Sequence, residues 1–147
     1  MEALFREILV PIDGSEPSLQ AVRMALRIVE VCPDCKLTLL YVIDKLVLNE
    51  LVRFSARSEA EVEAELKDQG EKYLELAKKE AQRQSVSAHS RVQKGDPFEE
   101  IVAAADGLHA DLIIMGHTGR RGTTRILIGS VTQRVLDYAP CPVLVMK

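Results

Sequence analysis

The sequence is poor in the features that mark membrane, secreted and nucleic-acid-binding proteins. It has no tryptophan, and aromatic residues make up only 4% of its 147 residues. No apolar run approaches the roughly 20 residues of a membrane-spanning helix, and the first residues, MEALFREILVPIDGS, lack the basic and long apolar segments of a secretory signal. The formal net charge of −3 gives no overall attraction to nucleic acid. We therefore expect a cytoplasmic protein that binds neither a membrane nor nucleic acid.

Cysteine is also scarce, and its odd count of three does not indicate a disulfide framework. Cys32 and Cys35 form a C-x-x-C motif between a predicted helix and a predicted strand. That position favours a structural turn, although a redox pair or half of a metal site is the alternative interpretation. The sequence supplies no second C-x-x-C motif and no histidine pair to complete a zinc site, so no metal-ligating residues are predicted.

Two common nucleotide-binding motifs are missing. The turn after the first predicted strand reads PIDGSEPS, with one glycine, so it lacks the G-x-G-x-x-G motif of dinucleotide-binding proteins. The sequence also contains no G-x-x-x-x-G-K-[ST] string. NAD is therefore disfavoured, and an ordinary P-loop hydrolase is excluded.

What the sequence does have is a regular alternation of strand and helix patterns. Apolar runs predict strands at 5–12, 36–43, 86–93, 112–115 and 143–146, and helical spacing predicts helices from Ser15, at 59–83, 97–109 and 130–138. This alternation predicts one α/β domain over residues 1–147, with a doubly wound, Rossmann-like, five-stranded parallel sheet of order 3-2-1-4-5 and helices on both faces. Residues 45–58 have no clear cap and are read as a short amphipathic piece or a mobile lid. Gly70 is read as a weak point of its helix.

The most informative stretch follows the fourth predicted strand. Gly116 and Gly119 lie in a basic loop with Arg120 and Arg121, and Gly129-Ser130 begins the next helical pattern. Glycines allow close backbone approach, and the free N–H groups of a helix N-terminus favour anions. The stretch therefore predicts a phosphate site at the edge where the parallel strands end.

These residues resemble the universal stress protein family, in its branch with the ATP-binding motif G-2x-G-9x-G-[ST]. ILVPIDGS, LLYVID, KGDPFEEIVAAA and CPVLVMK also resemble blocks of that family, so the resemblance covers essentially the whole chain. It implies ATP binding, with Mg or Mn bridging the phosphates, and a homodimer through the C-terminal strand. The implied nucleotide-contacting positions are Pro11, Ile12, Asp13, Val42, Met115, Gly116, His117, Gly119, Gly129, Ser130 and Val131.

Simpler interpretations of these residues stay open. Asp13 could cap the helix that begins near Ser15, Ser130 could be only a helix cap, and His117 could be an ordinary loop histidine. The sequence places no partner that would make His117 a catalyst, so no catalytic residues are assigned. The function expected is that of a nucleotide-dependent regulator or stress-response factor with an unidentified protein partner. A slow ATP-hydrolysing or adenylyl-transferring enzyme and a nucleotide-free interaction module are the alternatives.

Overall fold

The structure, a computed structural model, describes residues 2–118 and 128–147. Strands and helices alternate along the chain, with two consecutive helices after the second strand. In order they are β1 (Glu7–Pro11), α1 (Glu16–Val31), β2 (Lys36–Asp44), α2 (Lys45–Arg53), α3 (Glu59–Arg83), β3 (Ala88–Gly95), α4 (Pro97–Leu108), β4 (Leu112–Gly116), α5 (Ser130–Tyr138) and β5 (Val143–Met146).

The five strands form one parallel sheet in the order β3-β2-β1-β4-β5. This confirms the order 3-2-1-4-5 expected from the sequence. The order reverses between β1 and β4, because the chain first adds β2 and β3 on one side of β1 and then returns to add β4 and β5 on the other. Such a reversal leaves a crevice at the strand ends, where ligands of these sheets bind.

Hydrophobic side chains cover both faces of the sheet. Ile8 and Val10 of β1 point into a core shared with α1 and α3, and Leu9 between them points into a second core shared with α4 and α5. This alternation is the period-two pattern of a strand. Because both faces are buried, the central strands read as nearly continuous apolar runs in the sequence.

Short polar side chains fix where four of the helices begin. Ser15 caps α1, Asp44 caps α2, Ser58 caps α3 and Asp96 caps α4, each accepting a hydrogen bond from a backbone N–H of the first turn. Each bond satisfies one of the N–H groups that a helix leaves without an intrahelical partner. The cap at Asp44 explains why residues 45–53 form a helix. Of the two interpretations of residues 45–58, the short amphipathic segment therefore fits better than the mobile lid. Asp44 is both the last residue of β2 and the cap of α2.

The structure corrects the sequence prediction at Gly70 of α3. A Cβ atom built there would lie 2.1 Å from Cδ1 of the Tyr41 ring on β2. At Gly70 the Tyr41 ring therefore packs directly against the helix backbone, and glycine is needed for that contact.

The two outer strands of the sheet differ in character. β3 alternates between half-buried and exposed residues, and its exposed positions include His89, Arg91 and Lys94. β5 is entirely apolar, although its Leu144 is 37% exposed. In the described ranges, no helix is long and apolar enough to cross a membrane.

Candidate functional site

The candidate site lies where the parallel strands end. Pro11, Asp44, Gly95, Gly116 and Met146 are the last residues of the five strands, and we call the edge they form the carboxyl edge. Asp44 and Gly95 are paired in register, as are Gly116 and Met146. The structure thus brings the predicted residues of the β1, β2 and β4 ends to one edge of the sheet.

Gly116 is the point where helices from both faces of the sheet meet. A Cβ atom on Gly116 would lie 2.6 Å from the Cβ of Pro17 and 2.9 Å from its backbone carbonyl carbon, in the first turn of α1. From the other face, the buried hydroxyl of Thr132 in the first turn of α5 donates to the Gly116 carbonyl oxygen at 2.8 Å. The positive ends of two helix dipoles therefore converge on the end of β4.

Backbone hydrogen bonds hold both ends of the glycine-rich stretch. The His117 N–H donates to the Met146 carbonyl oxygen at 2.7 Å, and the Gly129 N–H donates to the His117 carbonyl oxygen at 2.6 Å. The first bond ties the end of β4 to the end of β5, and the second brings the start of α5 to the same place. Residues 117 and 129 are therefore neighbours, as a phosphate site built from both requires.

The His117 side chain reinforces this tie. Its Nδ1 lies 3.1 Å from the same Met146 carbonyl oxygen. A carbonyl oxygen can only accept, so Nδ1 carries the hydrogen in this arrangement and Nε2 is the ring nitrogen left to accept. The imidazole is thus a structural link between two strands, more than the ordinary loop histidine of the simpler interpretation.

Within residues 2–118 and 128–147, no side chain caps the N-terminus of α5. Gly129 is the N-cap residue, with φ −69° and ψ 161°, and it has no side chain to offer the first turn. Ser130 is the first helical residue, so its interpretation as the helix cap is wrong. The N–H groups of Ser130 and Val131 belong to the first turn, which has no intrahelical acceptors and is therefore suited to hold an anion.

The turn after β1 is held by Asp13 and covered by Tyr73. Asp13 Oδ1 accepts the Ser15 N–H at 2.9 Å, while Ser15 itself caps α1. Asp13 thus shapes the turn before the helix, and the interpretation of Asp13 as the cap is wrong. Gly14 has φ 84°, a conformation that favours glycine, and a Cβ there would lie 2.3 Å from the Tyr73 ring.

The other predicted positions near this turn differ in burial. Ile12 is 6% exposed and belongs to the core beneath α1, whereas Met115 is 5% exposed and belongs to the core beneath α4 and α5. Because the side chains of Ile12 and Met115 are buried in opposite cores, these residues can contact a ligand at the carboxyl edge chiefly through backbone atoms. Pro11 and Val42 are half-buried beside them.

Gly119, Arg120 and Arg121 lie outside the described residues, so their predicted role is carried forward only as a prediction. Three residues that the sequence reading missed contribute to the site: Ser18, Tyr73 and Thr132. Ser18 is buried, and its N lies 3.1 Å from the position a Gly116 Cβ would take. For Ser18 and Thr132 the sequence did contain a signal: each hydroxyl falls on the buried face of its helix. A buried hydroxyl needs a hydrogen-bond partner, so contacts of these two residues with neighbouring elements could have been predicted.

Carboxylates do not assemble into a metal site in the described part of the chain. No group of three or more His, Cys, Asp or Glu residues there is arranged to hold a metal ion. A divalent cation at this edge would take its ligands largely from phosphate oxygens and water, as Mg²⁺ commonly does in phosphate sites.

Comparison with known proteins decides the family. The sequence profile of the universal stress protein family matches residues 4–147. The chain belongs to this family. Universal stress protein MJ0531 of Methanocaldococcus jannaschii is 40% identical to it over 147 residues, which cover 99% of this chain and 84% of MJ0531.

Solved structures of the family share the fold. The structure of M. jannaschii MJ0577, which served for a structure-based assignment of biochemical function, superposes with a TM-score of 0.86 at 31% identity. The match covers 98% of this universal stress protein and 96% of MJ0577. A universal stress protein crystallised in complex with cAMP superposes with a TM-score of 0.62 at 23% identity, covering 97% of each chain, and that likeness shows the fold alone.

Proposed function

We propose that this universal stress protein binds ATP at the carboxyl edge between β1 and β4 and acts as a nucleotide-dependent regulator or stress-response factor. The observation that carries the proposal is the meeting of the α1 and α5 N-termini at Gly116. Two helix N-termini at one backbone position favour an anion, because the positive ends of both dipoles meet there and the first turn of α5 adds N–H groups without intrahelical acceptors.

The phosphates would bind at the uncapped start of α5. Gly129 gives them close access, and the N–H groups of Ser130 and Val131 would donate to phosphate oxygens. Gly116 and His117 would form the floor beneath them. We carry Gly119 forward as part of that floor from the sequence motif, with Mg or Mn bridging the phosphate oxygens.

The adenosine would bind on the β1 and β2 side of the crevice. Pro11, Ile12 and Met115 would border it through backbone atoms, and the Val42 backbone would face the adenine edge. Asp13 has one carboxylate oxygen fixed by the Ser15 N–H, and the other would be left to accept a hydrogen bond from the ribose. The fold accommodates a cyclic adenine nucleotide in the cAMP complex, but the case for ATP rests on the residues of this chain.

The geometry favours binding over catalysis. Asp13 is the only acid among the predicted nucleotide-contacting positions, and its carboxylate already accepts the Ser15 N–H that stabilises the turn. The His117 ring is likewise engaged by Met146. We therefore do not assign a nucleophile or a general base.

We infer in addition that two chains pair through β5. Among the strands that the structure describes, β5 is bonded only to β4, and Leu144 leaves an apolar side chain partly exposed at that edge. An uncovered apolar edge strand tends to pair with another strand, and a two-fold symmetric pair would cover both copies at once.

The first experiment asks whether the protein holds nucleotide. The purified protein is denatured and the released small molecules are identified by mass spectrometry; nucleotide-free protein is then melted with and without Mg-ATP. At 100 times the dissociation constant, ATP should stabilise the protein by about 2.7 kcal/mol, or about 5–10 °C for a chain of this size. Absence of both released nucleotide and a melting shift would overturn the ATP proposal.

A pair of variants locates the phosphates. Ser130→Pro removes the N–H at the first helical position, where proline fits a helix, and Gly129 already has the extended conformation required before proline. We expect the unliganded melting temperature to change little and ATP affinity to fall about tenfold or more, because hydrogen bonds to charged groups contribute about 1.5–3 kcal/mol. Ser130→Ala keeps the N–H and should bind ATP as the parent does. Equal affinities for the two variants would place the phosphates elsewhere.

A time course of phosphate and AMP release tests the enzyme alternative. We expect a flat course at stoichiometric enzyme. Steady product release that disappears in Asp13→Ala would instead make the protein a slow ATP-hydrolysing or adenylyl-transferring enzyme. A protein that gives neither turnover nor a melting shift would fit the nucleotide-free interaction module.

A further inference from the structure

A pair of cysteines lies in the turn between α1 and β2, at the end of the sheet opposite the proposed nucleotide site. Cys32 is the C-cap of α1, and Cys35 immediately precedes β2. The Cys35 N–H donates to the Cys32 carbonyl oxygen at 2.9 Å, which closes a four-residue turn with Pro33 at its second position. Both cysteines are free thiols.

The turn sets a separation that suits a disulfide. A β-turn closed in this way keeps its first and last Cα atoms within about 7 Å. Disulfides bridge Cα atoms about 4.4–6.8 Å apart. Proline at the second position fixes a backbone angle that this turn already uses, so the turn holds the two Cα atoms at a separation that a disulfide can bridge.

We propose that Cys32 and Cys35 are a reversible oxidation site that reacts with hydroperoxides to form an intrachain disulfide. In the first step the Cys32 thiolate attacks one peroxide oxygen, the O–O bond breaks, and Cys32 becomes a sulfenic acid. The hydroxide or alkoxide that leaves takes up a proton from the solvent and becomes water or an alcohol. In the second step the Cys35 sulfur attacks the Cys32 sulfur and the sulfenic oxygen leaves as water, taking up the Cys35 proton. Two thiols are oxidised by two electrons, and the peroxide is reduced.

The order of the two steps follows from burial. Cys32 is half-buried and open to a small oxidant, whereas Cys35 is 7% exposed and its thiol donates toward the Lys36 carbonyl oxygen. Burial raises the pKa of Cys35 to about 11, with further contributions from the negative charges of Asp111, Cys32 and Glu7, against a backbone hydrogen bond from Ile8. Cys35 is thus a poor first nucleophile and the natural second partner.

The position of the pair distinguishes it from redox pairs that open a helix. At a helix N-terminus the dipole stabilises a thiolate, which makes the disulfide easy to reduce. Cys32 is at the opposite, negative end of α1, so the reduced form gains no such stabilisation. We expect a disulfide that forms slowly and resists reduction once formed. Because Cys35 must lose its proton, closure should become faster as pH rises toward the pKa of Cys35.

The third cysteine provides the competing outcome and the control. Cys141 is half-buried just before β5, and burial raises its pKa, with a further contribution from the negative charge of Asp111, which also contributes to the raised pKa of Cys35. Both sulfurs therefore lie near the same carboxylate. A Cys35–Cys141 bond is the pairing that the experiment must distinguish from the proposed one.

The test treats the reduced, full-length protein with hydrogen peroxide, blocks remaining thiols with iodoacetamide under denaturing conditions, and maps tryptic peptides by mass. Cleavage after Arg27 and Lys36 gives the peptide 28–36, IVEVCPDCK, which contains both cysteines. We expect this peptide to lose two hydrogen atoms, to escape alkylation and to regain both thiols with dithiothreitol. Cys141→Ser should behave identically.

Two further variants test the roles. Cys32→Ser should slow the loss of the Cys35 thiol about tenfold or more, since the buried thiol then has no accessible partner. Cys35→Ser should accumulate oxygen adducts on Cys32. The proposal is overturned if the parent protein adds oxygen to Cys32 while Cys35 stays alkylated, if Cys35 links to Cys141, or if the bond joins two chains on a non-reducing gel.

Discussion

Gly116 illustrates how a residue in a binding motif can also be indispensable to packing. The sequence motif predicts a role toward phosphate for Gly116. In the fold, the first turn of α1 occupies the space that a Cβ at this position would take. Nothing in the local sequence indicates that contact, because Pro17 is about a hundred residues away along the chain. The same close approach that positions α1 positions the proposed anion site.

We therefore expect Gly116→Ala to lower both stability and ATP affinity. The added methyl would meet Pro17 at 2.6 Å and its backbone at 2.9 Å, and overpacking of this kind costs about 1–3 kcal/mol. Denaturant unfolding and ATP-induced melting shifts measure the two effects. Gly107→Ala is the matched control, since no atom of the described residues outside that stretch of helix lies within 4 Å of a Cβ at that position. It should be neutral or stabilising. Equal stability of Gly116→Ala and the parent would show that α1 can move away from β4.

The bounds of a helix or strand were predictable from sequence where a capping residue, a glycine or a proline marks its end. The predicted helices 59–83 and 130–138 and the strand 143–146 agree with α3, α5 and β5. β3 lies two residues later than predicted, because its half-exposed pattern is weak. α2 could not be distinguished from a lid, since Asp44 ends a strand and caps a helix with no residue between them.

The candidate site was predictable to a similar extent. Sequence spacing placed Asp13, Gly116 and Gly129 at strand ends and helix starts, and the parallel topology then brings them to one edge. The contacts that hold this edge together involve residues far apart in sequence, such as Gly116 with Thr132 and His117 with Met146. Such pairs have no local signal, because tertiary packing alone creates them.

At Gly70 we predict the opposite of what helix propensity implies. Alanine in a helix is favoured over glycine by up to about 1 kcal/mol. Here the Cβ would lie 2.1 Å from the Tyr41 ring, so Gly70→Ala should destabilise the protein in urea unfolding. The cost should shrink when Tyr41→Leu is combined with it, because the ring is the obstacle. A cycle with no coupling between the two positions would contradict this explanation.

For the whole molecule, the testable feature is the apolar edge at β5. Leu144→Lys should convert the proposed dimer to a monomer, because a charge would be buried at the centre of the pairing strands. Light scattering coupled to size-exclusion chromatography measures the mass. Leu76→Lys is the matched control, since Leu76 is 65% exposed on α3. A parent protein that is monomeric at all concentrations would refute the pairing.

The difference between β3 and β5 would limit how many chains can join through their sheets. If both outer strands could pair with another chain, the sheet would extend from chain to chain into a fibre. Here one edge carries His89, Arg91 and Lys94, and Lys94 is held by Glu63 of α3 at 2.7 Å. Charged edges resist strand addition. In the dimer proposed above, growth from β5 would therefore stop once one partner has been added, and the charged β3 edges would be the two ends of a closed, ten-stranded unit.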